Sequence, residues 1–374
     1  MLRRHLLALS AAGLALPARA ADPGLSDQDI LLGQSAVLSG PLAVSMQGFN
    51  AGALLALEDA NAKGGINGRR VRLASLDDEL KPERALQNYK ALISEQRVFA
   101  CFGGVGSATV AAALPLLREA GVPLVGNYAL SDATREQGKG VAYFVRASYR
   151  REVEKIILHL TTLGTTRIAM AHLDNPGGAE IVTRTREALK ARAGLDLVAT
   201  APVKNDGSQL DAAIKTLADA QPQAVILFLS GPPVARLMTG LWDRGVAPWF
   251  YGTSVVAGER VATELGQRLR GLTVCQVMPY PWSASDATTR SYQQLCEAAK
   301  VPVSYYSFEG YLNALVMLEG LRRAGREPTR AGLHAAMRSF KARLSGLDLD
   351  FTEGTTGSRF VELVQVSPGG RFIR

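Results

Sequence analysis

Residues 98–109 read Val98-Phe99-Ala100-Cys101-Phe102-Gly103-Gly104-Val105-Gly106-Ser107-Ala108-Thr109. A short apolar run ends on paired glycines, and small and hydroxyl residues then open a helical pattern that continues to residue 120. That order predicts a buried strand, a tight loop and a helix N-terminus.

The same alternation extends in both directions. On the N-terminal side, strands are predicted over 30–37 and 70–77, each followed by a helix, over 47–61 and 82–95. On the C-terminal side a strand over 123–125 closes a first block, and a second block starts at residue 151. Its helices fall at 152–163, 179–192, 208–220 and 233–244, and its strands at 167–172, 196–201, 224–229 and 249–251. Strands that alternate with helices predict parallel sheets covered on both faces. Ser208 before Asp211, and Pro82 at the start of its helix, mark N-termini. Gly64, Gly65, Gly121, Gly164, Gly194 and Gly245 stand just past helical patterns, where a left-handed cap favours glycine. A third helical pattern, 305–323, has no strand beside it and is expected to return to the first block, while 359–366 supplies a late strand to the second. The fold class is therefore α/β, two doubly wound parallel-sheet lobes joined by three crossovers, expected near 144–147, 276–279 and 345–351. The lobes are drawn as 22–146 with 279–346, and 147–277 with 350–374. Several crossings of this kind form a hinge.

Arg3, Arg4 and His5, the apolar run 6–16 and Ala18-Arg19-Ala20 read as a secretory signal peptide over residues 1–20. The run is too short for a membrane anchor, and the residues beside Arg3-Arg4 fit a twin-arginine signal poorly, so general export is favoured. Cleavage would remove Arg3, Arg4 and Arg19, leaving 39 basic against 34 acidic residues and lowering the formal charge from +8 to +5. No basic cluster interleaved with aromatic residues remains, so nucleic acid is not an expected partner. About 350 mature residues exceed what one core serves, which again predicts two domains.

Cys101 lies in an apolar run and reads as a buried thiol, while Cys275 and Cys296 are free to pair or not in an oxidising compartment. The spacing of cysteines and histidines suggests no metal, and no cofactor is expected. No Ser or Cys nucleophile has a recognisable base beside it, so an enzyme is not expected. Asp77-Asp78-Glu79 reads as solvated or capping acids, and Gly68-Arg69-Arg70 as a solvated basic turn.

In open α/β sheets ligands bind beyond the carboxyl ends of strands. Two such loops stand out. Val37-Leu38-Ser39-Gly40-Pro41-Leu42 leaves a backbone that a ligand can approach, and is equally an ordinary turn. Gly103 to Thr109 opens a helix whose free N–H groups and positive dipole end suit a carboxylate, although Ser107 also suits the N-cap. The loop lacks the Lys-Ser/Thr ending of a nucleotide phosphate loop.

Ser39-Gly40-Pro41-Leu42, the run Glu58-Asp59-Ala60-Asn61-Ala62-Lys63-Gly64-Gly65-Ile66-Asn67-Gly68, Leu76-Asp77-Asp78 with Pro82, and Ser307-Phe308-Glu309-Gly310-Tyr311 closely resemble the leucine/isoleucine/valine-binding proteins of bacterial ABC transporters. The resemblance spans nearly the whole mature chain. It implies the type I periplasmic binding protein fold, a ligand clamped between two lobes, a periplasmic location, a monomer, and a membrane permease as partner. It further implies that Ser107 binds a ligand carboxylate with the N–H groups of Ala108 and Thr109, that a backbone carbonyl at Tyr128 receives an ammonium, and that Phe308 is an aromatic wall. Ser39, Gly40, Pro41, Tyr128 and Ala129 would line one side, Tyr149 would contact the apolar part, and Ser254 and His172 would reach in from the second lobe. Two departures matter. Leu130 replaces a threonine, with Ser131 adjacent, and Ser254 stands where relatives carry the glutamate that neutralises the ammonium. Arg150 and Arg151 lie where relatives often carry an acid. An unpaired buried ammonium is costly, so a carboxylate without an amino group, an aromatic or branched organic acid, stands beside the amino acid as the expected ligand. A ligand sensor signalling to a partner protein is the remaining alternative.

Overall fold

A computed structural model describes residues 22–40, 43–128, 131–204 and 206–374. The signal segment 1–20 and the site candidates Pro41, Leu42, Ala129 and Leu130 lie outside the described residues.

The first half of the chain runs β1 (Asp29–Ala36), α1 (Val44–Ala62), β2 (Arg70–Asp77), α2 (Pro82–Ser94), β3 (Ala100–Phe102), α3 (Ser107–Glu119), β4 (Leu124–Val125), α4 (Asp132–Gln137) and β5 (Ala142–Tyr143). These strands form one parallel sheet in the order β2-β1-β3-β4-β5. The chain then continues through α5 (Tyr149–Thr162), β6 (Ile168–Leu173), α6 (Pro176–Ala193), β7 (Ala199–Val203), α7 (Leu210–Asp219), β8 (Ala224–Phe228), α8 (Pro233–Trp242), β9 (Trp249–Gly252), α9 (Gly258–Leu265) and β10 (Leu272–Gln276). After these come α10 (Ala287–Ala299), α11 (Tyr305–Arg323), α12 (Arg330–Arg338), β11 (Lys341–Leu344), β12 (Leu347–Asp350), β13 (Glu362–Val366) and β14 (Phe372–Ile373). The second sheet has the order β14-β13-β10-β9-β8-β6-β7, parallel except where β13 and β14 add antiparallel. The two-lobed α/β class expected from the alternation of elements is the one observed.

Local chemistry explains the layers. Every residue of β8, Ala224-Val225-Ile226-Leu227-Phe228, is buried, as a central strand covered on both faces requires. Along α5 the buried Val153, Ile156, Ile157 and Leu160 recur at helical spacing and form one stripe against the sheet.

Helix α11 does return to the first sheet, and its glycines say why. A Cβ on Gly310 would stand 1.8 Å from the carbonyl oxygen of Phe49, and one on Gly52 would stand 1.7 Å from that of Ser307. Only glycine at both positions lets α1 and α11 approach this closely.

The crossover at 144–147 is hydrogen-bonded to a later segment: Phe144 N–H donates to Thr355 O (2.7 Å), Gly357 N–H to Phe144 O (2.8 Å), and Ser358 N–H to Val145 O (3.0 Å). The third passage therefore lies at 355–358, beyond the expected 345–351. Ser345 instead takes φ 49° in the turn joining β11 to β12, and those two strands pair with each other.

Three local expectations are decided, and the first of them is corrected. Arg69 is buried, donating to Ser26 O and Arg326 O at 2.7 Å each, so it is a structural tie, while Gly68 and Arg70 of the same turn stay exposed as expected. Cys275, on β10, and Cys296, on α10, are separate buried thiols, as is Cys101. Asp77 and Asp78 are capping acids: Asp77 accepts from Leu38 N–H (2.9 Å), and the fully buried Asp78 accepts from Leu80 N–H (2.8 Å) and Ser35 Oγ (2.9 Å).

Candidate functional site

Between the lobes the chain places a charge that sequence reading did not single out. Arg146 lies in the first crossover, is 1% exposed, and its guanidinium stacks 3.9 Å above the ring of Tyr128. Its Nη2 donates to Ser254 Oγ. Ser254 in turn gives its backbone N–H to Glu152 Oε2 (2.7 Å) and its hydroxyl to Glu152 Oε1 (2.9 Å). Nη1 faces Glu309 Oε1 at 3.5 Å, and neither Nη1 nor Nε has a hydrogen-bond acceptor among the described residues. Arg135, also buried, braces this frame by donating to Arg146 O (3.1 Å), Ala147 O (3.1 Å) and Thr356 Oγ1 (2.9 Å).

Each element fixes its residue for a local reason. Glu152 occupies the first turn of α5, where the helix dipole favours an acid. Helix α11 begins at a capping box between Ser304 and Ser307. From that fixed start, Ser307 and Gly310 face α1, and Phe308 and Tyr311 pack on Tyr292 at ring distances of 4.7 and 5.3 Å. Tyr305, Tyr306 and Glu309 are left to line an interlobe cavity. Ser254 and Glu259 reach it from the second lobe, and Gln276 and Met278 from the second crossover. The cavity, of about 10 Å³, holds no more than a water.

The buried charges shift one another. Burial works against the charge on Arg146, but Glu309, Tyr128 and Glu152 outweigh it and raise its pKa above the ordinary arginine value. Burial pushes the Glu309 carboxyl up to about 7, with Arg146 pulling it down. Burial also raises Glu152, against the pull of Arg146 and the two Ser254 bonds. Burial and the neighbouring Arg146 lower Arg135 to about 10.

A second cluster forms at the tip of α3. Ser107 Oγ accepts from Ser131 N–H at 3.1 Å and is hydrogen-bonded to the Tyr149 hydroxyl. The tip thus faces the other lobe, but the N-cap is Gly106 and not Ser107. Ala108 is exposed, and Thr109 is buried with its hydroxyl turned back to Gly106 O (2.8 Å). Above this tip, Glu180 of α6 accepts from Ser131 Oγ (2.5 Å) and Asp132 N–H (2.7 Å), tying the lobes together.

The structure therefore brings Ser107 and Tyr149 into one cluster, and Tyr128 and Ser254 into another. Ala108 and Thr109 share the α3 tip with Ser107, and the other described candidates contribute no side chain to either cluster. Phe308 is fully buried against Tyr292, and the aromatic residues lining the cavity are Tyr128, Tyr305, Tyr306 and Phe372. The Tyr128 carbonyl already accepts from Gly106 N–H at 3.4 Å, and its ring is what meets the charge cluster. Arg150 is exposed and uses its backbone N–H on Asp132 (3.3 Å), so Arg146 is the cation of the cleft. His172 turns its Nδ1 to Leu173 O (2.9 Å) beside Gly178. Ser39 is exposed and bonded to Asp77 (2.5 Å), next to the exposed Gly40. A signal for the missed residues was present: Arg146 is a lone charge after Val141-Ala142-Tyr143-Phe144-Val145, and Glu309 a lone acid between Phe308 and Gly310 in an apolar helix.

Residues 29–371 match the family model described as periplasmic binding protein. The chain belongs to that family. Its relatives include the Leu/Ile/Val-binding protein homolog 7 of Brucella abortus, 26% identical over 96% of this chain and 90% of the relative. Among solved structures, a substrate-binding periplasmic protein from Ralstonia solanacearum superposes with TM-score 0.85 at 31% identity, covering 92% of this chain and 99% of that one. An ABC transporter solute-binding protein from R. palustris, solved in complex with benzoate, shares the fold at TM-score 0.81 and 17% identity, over 92% of this chain and 95% of that one. This periplasmic binding protein thus has the type I two-lobed fold of a solute-binding family, which is not a family of enzymes. Among its described residues no helix is long and apolar enough to cross a membrane, and no cluster of acids, histidines and cysteines is grouped to hold a metal.

Proposed function

We propose that this periplasmic binding protein, exported and freed of residues 1–20, captures a small carboxylate-bearing solute between its lobes and presents the closed form, as a monomer, to the permease of an ABC uptake system. Ser107, with the N–H groups of Ala108 and Thr109, and Arg146 are the donors that receive acid oxygens, and Tyr128, Tyr149 and Tyr306 contact the apolar body. Because the closed cavity admits only a water, the lobes part to take up solute and reclose around it.

Within that reading, an organic acid without an amino group is preferred. The observation that carries this is Arg146, a buried guanidinium with two donor nitrogens lacking hydrogen-bond acceptors among the described residues, held directly behind Tyr128, Ser254 and Glu309 of the cavity wall. Such a group is suited to a carboxylate by charge and by its planar fork. The benzoate held by the R. palustris relative is consistent with it. A specific observation keeps the amino acid as a second reading: Glu309 and Glu259 line the same cavity and supply acids that Ser254 does not. Calorimetric titration with leucine, valine, phenylacetate and benzoate separates the two. Binding of the acids without the amino acids is expected, and micromolar leucine binding with no response to the acids would overturn the preference.

A further inference from the structure

The two carboxylates that balance Arg146 are held very differently. Glu152 is fixed by two hydrogen bonds from Ser254, at 2.7 and 2.9 Å. Glu309 approaches only to 3.5 Å and makes no side-chain hydrogen bond to Arg146, although it is 5% exposed. Glu309 is thus the carboxylate that faces the cation directly, and no hydrogen bond to Arg146 fixes it there, whereas Glu152 is tied to Ser254 and reaches Arg146 through it.

We infer, resting on the reading that the cleft receives an acid, that Glu309 sets the charge class of the solute: an arriving carboxylate takes its place beside Arg146, and Glu309 takes up one proton from solvent as it is released. The cluster explains the coupling. Arg146 and Arg135 are balanced by Glu152 and Glu309, so a third anion entering this buried space is favoured only if one acid is neutralised. Glu152 is committed to Ser254. Glu309 is poised for the change, since burial already brings its carboxyl to about 7. The charged and titratable groups around it are Arg146 in the crossover, Glu152 on α5 and Arg135 on α4. Tyr128, Tyr306 and the Glu259 carboxyl of α9 share the cavity wall. Helix α1, packed along α11, presents the apolar Met46, Phe49 and Ala53 among its buried residues.

A zwitterion demands the opposite. Its ammonium beside Glu309 would stabilise the carboxylate and release a proton, so the sign of the exchange reports which group of the solute faces α11.

The test is calorimetry of the mature wild-type protein with benzoate and phenylacetate near pH 7.5, in buffers of different ionisation enthalpy. Net uptake approaching one proton per solute is expected, with Kd rising up to about tenfold per pH unit above neutrality. In Glu309→Gln the exchange should fall to near zero and the pH dependence should flatten. Acids that bind without proton uptake, or a Glu309→Gln protein that keeps the pH dependence, would overturn the role of Glu309 and leave the acid reading standing. Leucine bound with proton release, and no acid bound, would overturn both. The wild-type proton count needs no variant to fold.

Discussion

Glu180 of the second lobe accepts the backbone N–H of Asp132 in the first at 2.7 Å, and the same carboxylate takes the hydroxyl of Ser131. The neighbouring Arg184 Nε stands 3.7 Å from Asp132 Oδ2. Because these bonds join the lobes across the cleft, they stabilise the closed form selectively. Glu180→Ala is therefore expected to weaken solute affinity by about 10-fold or more, from the roughly 1.5–3 kcal/mol of a charged hydrogen bond. Thermal stability of the solute-free protein should change little. Calorimetry and small-angle scattering check this, and unchanged affinity would mean that the lobes close without Glu180.

The arginine of the cleft carries structural weight as well. Replacing it by Arg146→Met leaves Glu152 and Glu309 buried without their shared cation, a loss on the order of 3–5 kcal/mol. Adding Glu309→Gln should restore part of it. Urea unfolding of the single and double variants measures the coupling, and strictly additive losses would show that the two side chains do not interact.

Close approach of α1 and α11 predicts a third outcome. Gly310→Ala would drive its new methyl onto the backbone of Phe49, and overpacking of this kind costs about 1–3 kcal/mol. The exposed Gly369, which lacks a left-handed φ and whose Cβ would meet nothing within 4 Å, is the control for adding a methyl without a clash.

A fourth expectation concerns acid. His334 is bonded through Nδ1 to Tyr143 Oη at 3.1 Å, and burial, with Arg338 nearby, lowers its pKa to about 4 from an ordinary 6.5. Between those values the unfolded chain binds the proton and the folded one does not. This group's share of stability is therefore present above pH 6.5 and lost as pH falls toward 4. His334→Gln should flatten the melting temperature across that window, and an unchanged slope would assign the acid sensitivity to other groups.

The sequence by itself determined the order of elements, the parallel sheets and the family, because hydrophobic period, glycine caps and a specific run such as Asn61 to Gly68 are local properties that survive without knowledge of contacts. It also singled out the α3 tip, since a glycine loop opening a helix is contiguous. The tertiary structure alone decided the charge frame of the cleft. Arg146, Glu152, Ser254 and Glu309 come from a crossover, two helices and a strand end, and their pairing depends on how the lobes close. The same holds for Phe308, whose motif was legible but whose direction was not: one helical step separates a side chain in the core from Glu309 in the cleft, and the packing of α11 on α1 and α10 sets that rotation.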